Sequence, residues 1–190
     1  MTSIDVQPGF LELLRSDARA GDLGRRTPFF YLAALLGVNK FSAILLFRMA
    51  AALARKGRGG RFLAASLTRL NTLYNSCEMS PMARIGPGLH IPHTIGICFG
   101  PITAGRNLTI LHHASLGIDD RTLDHDDPAN FPTIGDGVQI GPGAVVLGPV
   151  SVGDGAMIAA NAVVLQDVPA GGTAFGNPAR VMKRSEPAQA

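Results

Sequence analysis

Residues Ile134 to Pro169 read IGDGVQ-IGPGAV-VLGPVS-VGDGAM-IAANAV-VLQDVP. An aliphatic residue returns at each sixth position, at Ile134, Ile140, Val146, Val152, Ile158 and Val164, and is usually followed by Gly or another small residue. An earlier run places Ile85, Ile91 and Ile97 in the same register, then Ala104, Ile110 and Leu116 after a one-residue slip. A sustained period of six is the mark of a β-helical solenoid, in which each hexad is one short strand and a corner. Three hexads close a triangular coil, and successive coils stack about 4.8 Å apart, the spacing of paired strands. The aliphatic position points into the prism, as does the small residue four places later (Ala114, Val138, Ala144, Val150, Ala156, Ala162). Gly and Asn fall near the corners, where left-handed backbone angles cost least. A Gly-rich sandwich would instead alternate with period two over longer strands. The fold class expected is mainly β, a left-handed parallel β-helix behind an N-terminal α-helical cap.

The hexads begin near Ile85, and the chain divides into a helical region at 1–82 and a β-helix domain at 83–190. The period fails between Gly117 and Thr133, where IDDRTLDHDDPANFP is acidic and polar. Such a stretch cannot line a prism, so 117–133 is expected as a loop thrown out from the coil, where solenoids often carry function. Its Asp119, Asp120, Asp124, His125, Asp126 and Asp127 lack the regular ligand spacing of a calcium loop, and a solvated acidic flap is the expectation. After Val168, GGTAFGNPARVMKR closes the prism and leaves a C-terminal tail.

Before the hexads, Pro8 to Ala20 has a helical pattern with Leu11 and Leu14 on one face and Gly21 as a stop. Thr27-Pro28 suits a helix start, with Thr as cap and Pro in the first turn. The apolar run Phe29 to Ala54 is interrupted by Gly37, Asn39-Lys40 and Arg48, which argues for two packed helical pieces and against a transmembrane span. Gly57 to Gly60 is read as a break, and Arg61 to about Cys77 as a further helix with Leu63, Leu67, Leu70 and Tyr74 at helical spacing.

The 190 residues carry a net charge of +3, unevenly spread. Residues 1–70 hold eleven Lys/Arg against four Asp/Glu, and residues 71–190 hold six against ten. The basic half reads first as a solvated helical face and second as a surface for an anionic membrane, with Arg48, Arg55, Lys56, Arg58 and Arg61 as its contacts. No nucleic-acid motif accompanies the charge, so no nucleic-acid partner is expected. The two cysteines, Cys77 and Cys98, form no metal pattern or disulfide framework, which suits a reducing cytoplasm. The first residues, MTSIDVQPGF, lack the features of a secretory signal.

Residues three hexads apart stack vertically. His93 lies two places after Ile91 and His112 two places after Ile110, so the two should share one outward face, one coil apart. His90 and His113 flank them. Two stacked imidazoles beside the large loop mark the expected site, since imidazole is a base of the right strength near neutral pH.

With these residues in place, IPHTIGICFG, ILHHASLG, PTIGDGVQIGPGAVVLG and GNPARV resemble the serine acetyltransferase branch of the hexapeptide-repeat acyltransferases. The detailed resemblance covers about residues 83–183, and RSDARA extends it into the helices. The short helical region is more similar in layout to bacterial exopolysaccharide acetyltransferases of the colanic acid type. The resemblance implies a homotrimer or multiple of three, acetyl-CoA as co-substrate, no metal, and active sites in clefts between prisms. It implies that His93 is the catalytic base, and the register sets His112 beside it as a second catalytic candidate. It implies further that Gly143, Ala144, Ala159 and Ala160 track the pantetheine arm, and that Arg180, Lys183 and Arg184 meet the CoA phosphates. Asp17 matches a serine-binding Asp of the family. The family's Asp before the catalytic His is Pro92 here, and the Arg-His of its Arg-His-Pro motif are Asn130 and Phe131, placed at the acceptor end. The expected activity is therefore an acetyl-CoA-dependent O-acetyltransferase, with a sugar of an exopolysaccharide or its precursor as first acceptor. Serine O-acetyltransferase is the alternative, and a non-catalytic or metal-dependent trimer related to γ-carbonic anhydrases the next. The setting expected is cytoplasmic, with the inner membrane face as a further location.

Overall fold

The hexads fold as their period requires. The computed structural model describes residues 8–21, 28–35, 41–119, 124 and 127–183. Its strands, two to four residues each, are β1 (Glu78–Met79), β2 (Arg84–Ile85), β3 (Cys98–Phe99), β4 (Thr103–Ala104), β5 (Thr109–Ile110), β6 (Ser115–Gly117), β7 (Thr133–Ile134), β8 (Gln139–Ile140), β9 (Val145–Leu147), β10 (Ser151–Val152), β11 (Met157–Ile158), β12 (Val163–Val164), β13 (Gly172–Phe175) and β14 (Arg180–Lys183). They form three sheets, ordered β1-β3-β6-β9-β12, β10-β7-β4-β2 and β14-β13-β11-β8-β5. All pairs are parallel except the terminal β13–β14 hairpin, which closes the prism. The architecture is a left-handed parallel β-helix with an N-terminal helical cap.

Register residues stack in columns. Ile110, Ile140, Ile158 and Ala174 form one, and each is fully buried. Met79, Phe99, Leu116, Val146 and Val164 form another. Two details differ from the sequence period. The coils start at β1 rather than at Ile85, because Met79 already occupies a register position six residues ahead of it. Phe99, not Ile97, stands above Leu116. Ile91 to Phe99 spans eight positions, so the corner after Ile91 holds two residues more than a hexad allows. Ile97 drops to the inward position two places before the register residue, level with Ile102, Leu108 and Ala114, and stays buried.

The cap comprises α1 (Phe10–Ala20), α2 (Pro28–Leu35), α3 (Ser42–Ala54) and α4 (Gly57–Asn75). Thr27, Gly37 and Asn39-Lys40 lie outside the described residues. The glycine run does not break the chain but forms the first turn of α4. Gly60 sits so close to α3 that an added Cβ would collide with the Leu53 carbonyl oxygen. A residue without a side chain lets the two helices meet backbone to backbone. The α3 core continues into the prism through Phe47, whose ring meets Phe99 edge to face at 5.5 Å. Arg55, Lys56, Arg58 and Arg61 are exposed, whereas Arg48 is buried and pairs with Asp17, so it is no part of a basic surface.

Between β6 and β7 the chain leaves the coil, and its described part includes a 3-10 turn at Pro128–Asn130. Asp127 caps that turn by accepting a hydrogen bond from the Ala129 amide at 2.9 Å. Asp120, His125 and Asp126 lie outside the described residues.

Candidate active site

One corner of the prism carries most of the residues singled out from the sequence. Two places after Ile91, Ile110, Ile140 and Ile158 come His93, His112, Pro142 and Ala160. One place further, His113, Gly143 and Asn161 hold φ of 59°, 68° and 56°. This is the left-handed region that Gly, Asn and His enter more readily than other residues. The corner is tied from coil to coil by the Gly143 amide donating to the His112 carbonyl and the Asn161 amide to the Pro142 carbonyl, both at 2.9 Å.

At the top of this corner stand the histidines. The His93 and His112 ring centroids are 5.6 Å apart and the planes cross at 83°. His112 and His113 are also 5.6 Å apart, at 77°. His93 is exposed at the corner that holds the two extra residues. His112 Nδ1 is buried and makes no hydrogen bond among the described residues. A buried polar atom without a hydrogen bond is unusual in a folded protein.

His93 also lines a cavity of about 230 Å³ between prism and cap. His90, Ile91, Pro92 and His93 form its coil side, and Asp17, Gly21, Phe41 and Ile44 its helical side. Burial pushes the pKa of the His90 imidazole down from its ordinary value. Asp17 borders the cavity floor but has no exposed side-chain surface. Its Oδ1 accepts from the Gly88 and Leu89 amides at 2.9 Å and from Arg48 Nη2 at 3.1 Å. Its Oδ2 accepts from Arg48 Nε at 2.8 Å. Sequence reasoning named Asp17 but missed Arg48 as its partner. The available signal was a lone charge inside an otherwise apolar helix.

The residues placed at the acceptor end by resemblance behave differently. The Asn130 side-chain amide donates to the Asp124 carbonyl at 3.1 Å and is spent on its own loop. Phe131 is a buried plug, its ring occupying the space that a side chain at Gly100 would need. Neither lines the cavity beside His93. In this chain loop closure takes the Asn130 side chain and core packing takes that of Phe131.

The residues expected along the donor lie lower on the same corner. Gly143, Ala159 and Ala160 face outward there to differing degrees. Ala144 points into the prism and is fully buried, and its amide donates to the Gly141 carbonyl at 3.2 Å, so only its neighbours can face a ligand. Arg180 is exposed at the start of β14. Lys183 ends that strand, and Arg184 lies outside the described residues.

Residues 131–166 match the family model described as bacterial transferase hexapeptide (six repeats). Serine acetyltransferase 5 of Arabidopsis thaliana is 33% identical over 187 residues, 98% of this chain and 58% of that protein. The chain thus spans little more than half of that plant relative. The serine acetyltransferase of Helicobacter pylori (strain ATCC 700392 / 26695) is 39% identical over 143 residues, 75% of this chain and 80% of that protein. A solved serine acetyltransferase in complex with CoA superposes with a TM-score of 0.74 at 31% identity, covering 91% of this chain and 69% of that one. These matches overturn the expectation of a sugar acceptor and the exopolysaccharide resemblance behind it. The Arabidopsis match runs through the helical cap, whose short length had favoured the exopolysaccharide layout.

Proposed function

This chain belongs to the serine acetyltransferase family of hexapeptide-repeat transferases, and on that premise we propose that it transfers acetyl from acetyl-CoA to the hydroxyl of serine. The single observation carrying this reading is the corner itself. His93 and His112 meet at its top, beside the cavity, and Gly143, Ala159 and Ala160 continue below them toward the terminal hairpin.

In the proposed reaction His93 takes the proton of the serine hydroxyl as that oxygen attacks the thioester carbonyl carbon. An alcohol is a weak nucleophile until its proton is removed, and neutral imidazole suits that task. The tetrahedral oxyanion then collapses, the carbon–sulfur bond breaks, and the CoA thiolate receives the proton that His93 holds. O-acetylserine and CoA leave. His112 packs edge-on against the base and fixes its ring orientation. Asp17, its charge balanced by Arg48, forms the floor on which the acceptor sits, and Pro92 takes the position of the family's other Asp. The donor runs along the corner past Gly143, Ala159 and Ala160, and Arg180, Lys183 and Arg184 meet its phosphates. Arg is well suited to that contact, because its planar fork matches phosphate oxygens.

The working unit in this reading is a homotrimer or a multiple of three. Exposed Ile95, Met157, Leu165 and Met182 on the prism favour burial against another copy. The free cysteines Cys77 and Cys98 fit a reducing cytoplasm. Release of free thiol from acetyl-CoA, followed with and without L-serine, tests the activity. Serine-dependent turnover supports it, and thiol release indifferent to serine overturns it.

A further inference from the structure

Arg48 stands in the middle of α3, 4% exposed, where its helical neighbours are all apolar. A buried guanidinium is costly unless every donor finds an acceptor. Here the donors reach out of the helix in two directions. Nε and Nη2 hold both oxygens of Asp17 in α1, at 2.8 and 3.1 Å. Nη1 donates to the Ile85 carbonyl at 2.6 Å and Nη2 to the Gly86 carbonyl at 2.8 Å. Asp17 in turn accepts from the amides of Gly88 and Leu89. The pair therefore grips one turn of the first coil, residues 85–89, by its carbonyls at one end and its amides at the other.

That turn runs directly into His90, Ile91, Pro92 and His93, the coil side of the cavity. The opposite side is built by Asp17, Gly21, Phe41 and Ile44 from the cap. The distance between the two sides is thus set where cap and coil are joined, and the Arg48–Asp17 pair joins α1, α3 and the coil at once. A lysine could keep the charge but not the fork, since its ammonium cannot meet two carboxylate oxygens and two carbonyls in fixed directions.

We propose that Arg48 is a positioning residue of the acceptor site, holding the Asp17 floor of the cavity in register with His93. This rests on the serine reading above. It differs from a purely stabilising ion pair in what it does to the two substrates. Arg48→Lys should raise the KM for serine by about 10-fold or more, since small misplacements of a binding group cost that much. The KM for acetyl-CoA, held lower on the corner, should stay within about twofold, as uniform effects on donor binding are not involved. Removing Arg48 alone strands a buried carboxylate and risks unfolding. The paired variant Arg48→Met with Asp17→Asn removes both charges, so it should fold, and it is read against Asp17→Asn alone, above which its serine KM should rise further.

The wild type is assayed first, which separates failure of the serine reading from failure of this one. The second readout needs no turnover: the ring C–H resonances of His93, assigned through His93→Gln, are compared between wild type and Arg48→Lys by NMR. A shifted His93 resonance with the serine KM raised selectively supports the proposal. An unmoved His93 resonance, a serine KM that Arg48→Lys preserves, or equal rises in both KM values overturns it and leaves the pair as a stabilising contact alone.

Discussion

His93 and His112 lie nineteen positions apart in the chain, yet their rings meet edge to face at 5.6 Å. The coil makes them neighbours. Each stands two places after a register isoleucine, and Ile91 sits directly above Ile110, whose amide donates to the His90 carbonyl at 3.0 Å. If His93 removes the serine proton, His93→Ala should lower kcat by about 10²–10⁴-fold, the usual worth of a general base. Acetyl-CoA binding, measured by calorimetry, should hardly change. His112→Ala should cost less, and the double variant should cost less than the product of the two, because the rings act as a unit. Full activity in His93→Ala would remove the mechanism.

Gly60 provides a test of the cap. A Cβ added there would meet the Leu53 carbonyl, which is backbone and cannot swing aside, and would press on Lys56 Cβ. Gly60→Ala should lower stability by about 1–3 kcal/mol, as overpacking commonly does, despite the better helix propensity of alanine. Gly59→Ala, with open space around it, should be neutral or stabilising. Urea midpoints of the two variants decide between close packing and mere helix-breaking as the meaning of the glycine run.

The prism was legible because its constraint is local and repeated: each register residue must fit inside the same triangle, whatever lies outside. His93 and His112 were legible for the same reason, since counting in coils needs only the period. Ile97 and Phe99 show where counting fails. Two extra residues in one corner shifted the register, and both side chains are apolar, so composition gave no warning. Asn130 and Phe131 were hard to place for another reason. Their roles were carried by alignment to a motif, while packing against Gly100 and closure of the loop onto Asp124 decided where those side chains went. Arg48 reads from sequence as part of a basic surface, because its partners, Asp17 and the turn at Ile85–Leu89, are distant in sequence and belong to different elements.

Assembly gives a further test. With Met157 and Met182 exposed on one sheet face, a lone protomer leaves apolar strands in water. Protomers of 19.9 kDa should run as a species of about 60 kDa or a multiple of it, the mass of three copies under cyclic symmetry. Light scattering at micromolar protein measures this directly. A stable monomer would sink the trimer and with it the intersubunit cleft.

His90 links the cavity to pH. Its imidazole is partly buried against the cap, and desolvation lowers its pKa below the ordinary value of 6.5. The folded state therefore prefers the neutral ring. Between the lowered folded value and 6.5 the unfolded chain binds more protons, so stability falls as pH drops through that window. Above 6.5 both states are neutral and the effect vanishes. His90→Gln keeps a polar side chain of similar reach but cannot be protonated. The difference in urea midpoint between wild type and His90→Gln should thus be constant from pH 8 to about 7 and move against wild type as pH falls toward about 5, the range over which an unperturbed histidine charges. Other titrating groups act on both proteins alike and cancel in the comparison. A difference independent of pH would mean that the ring charges as easily folded as unfolded, and that the cap does not desolvate it.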